Sequence, residues 1–219
     1  MAKKREPSDL RGADVEVLQI VALQSREASR VRRVLDPRSP VSASVLPHVI
    51  PLLGVRAVAG DAMQALQRVA DQYPGALIDA LLDPSNPSSV RRRLARVLSD
   101  CRSQIAADGL LTALDDDLLD VRRQCARSLF RIRRRCPDVR LSGERMLDLV
   151  RAELGRDSTE LSHLFTLLSF VVPVQPLRAA YRGLRSSDRH ARGTALEYLH
   201  GILPKDVRVA LMEKLEQEG

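Results

Sequence analysis

The sequence contains no tryptophan, and aromatic residues make up only 3% of its 219 positions. That scarcity argues against a β-sandwich core, which favours aromatic and β-branched strands. It also argues against a pocket that stacks a flipped or single-stranded base. Cysteine is scarce too: Cys101, Cys125 and Cys136 are odd in number, and their gaps of 23 and 10 residues match no zinc or thioredoxin spacing. The odd count favours a reducing compartment over a disulfide framework, and that compartment is expected. The four histidines, His48, His163, His190 and His200, include no HExxH pair. The longest nearly apolar run, Leu164 to Val174, is too short to span a bilayer and is interrupted by Pro173. No apolar stretch follows Met1-Ala-Lys-Lys-Arg-Glu, so no secretory leader is read there. Glycines stand singly, without a phosphate-cradling loop, and no G-x-S-x-G occurs. Glu144, Asp148 and Glu153 read as solvated helix faces. No catalytic, cofactor-binding or metal-ligating residue is assigned, and no enzymatic activity or cofactor is expected.

What the chain does contain is a hydrophobic fraction of 44%, mostly Leu, Val and Ala, which suits packed helices. Its formal charge is +7, and arginine supplies all but four of the 35 basic residues. Such a balance is compatible with nucleic acid or an anionic membrane surface. The simpler reading is an arginine bias with solvated helix faces.

A repeat organises these residues. Anchored on valine, V55-R-A-V-A-G-D-A-M, V90-R-R-R-L-A-R-V-L and V121-R-R-Q-C-A-R-S-L align, and H190-A-R-G-T-A-L-E-Y follows with His at the anchor. Five positions on stands a small residue, Gly60, Ala95, Ala126 or Ala195, and eight on a large apolar one. Small side chains are expected where two helix axes cross closely, and the anchor with its +4 and +8 partners forms one buried stripe. Shorter apolar segments precede three of the anchors, with Asp, Ser or Pro between, and Ser89 and Asp120 are the expected N-caps. The unit is helix, tight turn, helix, of roughly 30–40 residues.

At these residues the chain resembles a HEAT-repeat array. "LLTALDDDLLDVRRQCARSLFRI" matches an apolar first helix, an Asp-rich turn and V-R-x-x-x-A-x-x-L, while "LRSSDRHARGTALEYL" and "VRRRLARVL" are further matches. The resemblance covers about residues 45–205. It implies bonds between neighbouring repeats from the turn aspartate and the V-R arginine, positions held here by Asp120, Arg91 and Arg122. A narrower resemblance, carried by "DPSNPSSVRRRLARVLSDC", "LSHLFTLLSFV" and "ALEYLHGILPKDVRVALMEKLE", is to the HEAT-repeat region that follows the transmembrane part of bacterial ADP/ATP-translocase-like proteins. It implies a cytoplasmic location, tethered to the inner membrane as part of a larger protein. Transport is not implied, because no translocase helices are present.

The expected fold is all-α, an α-solenoid of HEAT-like antiparallel helix pairs, in one domain over 13–219 behind a flexible basic leader at 1–12. A long helix is expected over 13–35, then pairs at 41–72, 76–102, 104–135, 142–172 and 174–203, and a last helix near 205–217. On the helix from Val121 to Cys136, Val121, Cys125, Leu129, Ile132 and Cys136 make the core stripe, while Arg123, Arg127, Arg131 and Arg134 fan over the wet face. With Arg91, Arg92, Arg93 and Arg96 one repeat earlier, they are the candidate interaction surface. The function this pattern predicts is a non-enzymatic scaffold that binds a protein partner or regulates its parent membrane protein. The alternative is a basic solenoid that binds nucleic acid or an anionic membrane surface along an arginine strip. Against a base-excision glycosylase on a HEAT-like fold stands the lack of an aromatic base pocket.

Overall fold

The computed structural model describes residues 7–25, 27–157 and 160–217, and every regular element among them is helical. Helices α1 (Pro7–Leu23) and α2 (Ala28–Val34) precede a short α3 (Leu46–Val49) that runs into a 3-10 turn (Ile50–Gly54). Then come α4 (Ala59–Val69), α5 (Pro74–Leu82), α6 (Ser88–Leu98) and α7 (Gln104–Thr112). A second 3-10 turn (Ala113–Asp115) leads to α8 (Leu119–Arg135), α9 (Gly143–Leu154) and α10 (Leu161–Leu168). The last three are α11 (Val174–Leu184), α12 (Arg189–Ile202) and α13 (Lys205–Gln217). No helix of the described residues is long and apolar enough to cross a membrane. The chain forms two compact units, one ending at Ala113 and one beginning at Leu114, so the boundary falls inside the pair expected over 104–135.

Local chemistry sets the helix starts. Pro74 stands at the first position of α5, where its missing N–H costs nothing. Ser103 and Ser142 cap α7 and α9, each accepting from the N–H three residues on at 3.3 Å. Asp188 caps α12 by accepting from His190 N–H at 2.9 Å. Ser89 and Asp120 are not caps: α6 starts behind Pro87 and α8 behind Leu118, two residues before each expected cap, which places both residues inside the first turn. The single helix expected over 13–35 is two, because Glu27 is extended and restarts the chain, held by Ser29 and Arg30. The leader expected at 1–12 lies outside the described residues as far as residue 6, and from Pro7 the chain is helical.

In the first unit α5 packs on α6, α4 on α6 and α5 on α7. In the second unit α9 packs on α10, α8 on α10, α9 on α13 and α11 on α12. Ala95 and Ala126 are 0% exposed and Ala195 4%, as expected of crossing residues. Gly60 is exposed, with open space where a Cβ would stand, and the anchor Val55 is 47% exposed. The reason is a register slip. Val55 lies in the turn before α4, and the buried stripe runs three residues later, through Val58, Ala62 and Leu66. His190 is also exposed, because it sits in the first turn behind the Asp188 cap.

The closest helix approaches use glycines that the repeat pattern passes over. A Cβ on Gly109 of α7 would lie 2.5–2.8 Å from three carbons of Ile78 on α5. One on Gly183 of α11 would lie 2.8 Å from the Ala191 carbonyl oxygen and 2.9 Å from the Ala195 Cβ on α12.

Candidate functional site

An arginine-rich chain raises the question of what the guanidinium groups meet. Several meet backbone carbonyls at the ends of helices, the acceptors that a helix C-terminus leaves without an internal partner. Arg68 donates to the carbonyls of Leu35 and Asp36, just past α2, at 3.1 and 3.2 Å. Arg91 Nε donates to Leu81 in the last turn of α5 at 2.7 Å, and Arg93 donates to Leu53 in the first 3-10 turn. Arg133 donates to Phe170, just past α10, at 2.7 Å. A charged donor at a helix C-terminus also complements the helix dipole.

Arg122 is the most deeply placed. It is 1% exposed, and its Nη1 donates to the carbonyls of Asp116 and Asp117, both at 2.8 Å. Its Nε and Nη2 grip the Glu153 carboxylate on α9 at 2.9 and 3.2 Å, a bidentate pair. His163 on α10 is 1% exposed and brings Nε2 to 3.6 Å from Glu153 Oε2. Burial by itself raises the pKa of Glu153, but the adjacent His163 ring and Arg122 guanidinium outweigh it and hold the carboxyl below its usual range. Glu153 is therefore not on a solvated helix face, and His163 is buried beside it. The i, i+4 spacing of Glu153 from Leu149, and of His163 from Leu167, places each on a buried stripe, and that spacing was the available signal.

The candidate surface arginines divide accordingly. Arg91 is 4% exposed and belongs to the interior, because its guanidinium turns back onto α5. Arg93 is half-buried. Arg92 and Arg96 are exposed on α6 in the first unit. In the second unit Arg127, Arg131 and Arg134 are exposed on α8, and Arg123 is half-buried in an ion pair with Glu160 at 2.5 Å. Ser162 and Arg123 together lower the pKa of Glu160. The two sets lie in different units. Asp120 is half-buried in the first turn of α8, where its charge suits the helix N-terminus. Cys125 is buried and Cys136, the residue that ends α8, is half-buried. Phe130 meets Phe170 edge to face, centroids 6.0 Å apart. Among the described residues no cluster of three His, Cys, Asp or Glu is arranged to hold a metal.

No family model matches the chain, and no curated protein matches it.

Proposed function

We propose that the protein is a non-enzymatic HEAT-type α-solenoid scaffold that binds a protein partner, or another part of its own parent chain, through a helical face. The observation that carries this reading is the packing of helices two apart in sequence, α4 on α6, α5 on α7 and α8 on α10, with Ala95 and Ala126 fully buried. Stacking of that kind seals the apolar flank of each helix pair with the next and leaves ridged outer faces for partners. The buried Arg91 and Arg122 support the resemblance, whose V-R arginine bonds internally. A cytoplasmic location, tethered to the inner membrane as part of a larger protein, goes with the same reading. Crosslinking of the protein in its native cell, with the crosslinked residues mapped, tests it. A defined protein neighbour joined through one helical face is the expected result. Crosslinks scattered over all faces, or a measured turnover on a defined substrate, contradict it.

A second reading, a basic solenoid on nucleic acid or an anionic membrane surface, draws on the exposed Arg127, Arg131 and Arg134. Salt titration separates the two. Binding to duplex DNA or anionic vesicles that weakens steeply with salt, and that is lost in Arg131→Glu/Arg134→Glu, supports the second reading. No binding to either ends it.

A further inference from the structure

In the second unit a cavity of about 600 Å³ opens where the end of α8, the segment after α10 and the start of α11 come together. Phe130 and Phe170 line it with Val172 and Val174, and so do three arginines, Arg133, Arg134 and Arg178. No aspartate or glutamate is among its lining residues. Arg133 is fixed, donating to the Phe170 carbonyl at 2.7 Å with its guanidinium 5.7 Å from the centre of the Phe170 ring. Arg134 and Arg178 are exposed and make no hydrogen bond or ion pair among the described residues. Two unpaired guanidinium groups beside an apolar wall, with no carboxylate to neutralise them, are complementary to an anion carried on an apolar body.

We propose that this cavity docks an acidic peptide segment, with one large apolar side chain against the Phe130–Phe170 wall and flanking carboxylates on Arg134 and Arg178. The assignment rests on the scaffold reading and names the partner's chemistry and the place it binds. The cavity has the size that takes one bulky side chain with its flanks. A polymer fits better than a small anion because Arg127, Arg131 and Arg134 continue outward along α8 at i, i+4 and i+7. That spacing covers about 10 Å, the reach of about three residues of extended peptide. Nucleic acid fits worse, since the two rings pack edge to face on each other and form no ladder on which successive bases could stack.

Fluorescence polarisation with the full chain tests the proposal. The probes are a labelled peptide of alternating Asp and Glu around one central Phe, the same peptide with that Phe changed to Ala, and the same peptide with its acids changed to Asn and Gln. The first should bind at least about tenfold more tightly than either analogue. Arg134→Glu/Arg178→Glu should weaken it by about tenfold or more, and Arg134→Lys/Arg178→Lys by less. Arg38→Glu/Arg56→Glu, the same change in net charge on exposed sites of the first unit, should leave it unchanged. Circular dichroism of each variant verifies the fold. Equal loss in both charge-reversal pairs, indifference to the Phe, or tighter binding of a single-stranded oligonucleotide of equal charge overturns the proposal. A partner captured by crosslinking whose binding ignores Arg134→Glu/Arg178→Glu, together with no peptide binding, overturns the cavity and leaves the scaffold. Failure of both capture and peptide binding removes the two together.

Discussion

Helices α6 and α8 carry the same V-R pair, and the two arginines end in different surroundings. Arg91 turns back to a carbonyl of the preceding helix, while Arg122 reaches two carbonyls of the preceding turn and the Glu153 carboxylate. Both are buried, at 4% and 1% exposure. The shared part, an arginine closing the backbone of the element before it, is what the motif supplies. The added part depends on α9, whose Glu153 lies 31 residues further on. A buried charge with a bidentate counter-charge is costly to break from one side, because the survivor loses its closest compensation. Glu153 would keep the more distant Arg156 Nε at 3.9 Å and His163 Nε2 at 3.6 Å. Removing Arg91 leaves the neutral Leu81 carbonyl and the nearby Asp83 carboxylate, which is exposed to water, so no buried charge is stranded.

This contrast is open to measurement. Arg122→Met should destabilise the protein by about 3–5 kcal/mol, and Arg91→Met by about 1–3 kcal/mol, both read by urea denaturation. Equal losses would erase the distinction between the two sites. Acid provides the second probe. Because the folded Glu153 has a lowered pKa, its contribution is fully present above the ordinary value of 4.5 and is lost as pH falls through the folded value. The urea midpoint should therefore fall as the pH is lowered below the ordinary value of 4.5, and Glu153→Gln should flatten that part of the profile. An unchanged profile in Glu153→Gln would show that other carboxylates govern the acid limb.

The glycines sharpen the comparison on the packing side. Gly183→Ala and Gly109→Ala should each cost about 1–3 kcal/mol, since the new methyl group meets backbone at one site and the branched Ile78 at the other. Gly193→Ala, within α12 and with open space around it, should stabilise by about 0.5–1 kcal/mol. Thermal melts of the three variants order them, and a destabilised Gly193→Ala would contradict the open environment of that site.

The all-helical character, most of the turns and the crossing residues Ala95, Ala126 and Ala195 were legible because apolar periodicity and small side chains are local signals. The register at Val55 was not. A valine–arginine pair in a turn has the same letters as one at a helix start, and only the buried run Val58, Ala62, Leu66 separates them. Gly109 and Gly183 lay in plain view as glycines inside helical patterns, where the loss of helix propensity calls for a packing reason. Arg122, next in sequence to the stripe residue Val121, is wholly buried because a partner from α9 makes burial tolerable. The cavity was hidden for a similar reason. Arg178 and Phe170 come to the end of α8 from 37 or more residues further along the chain, and no local pattern reports that meeting.

Arg122, the V-R arginine of α8, is a structural tie to α9 rather than a surface charge. A double-mutant cycle on Arg122→Met and Glu153→Met measures it directly. Coupling of about 2 kcal/mol or more, the double variant losing far less than the sum of the singles, is the predicted result. Additive losses within about 0.5 kcal/mol would contradict it.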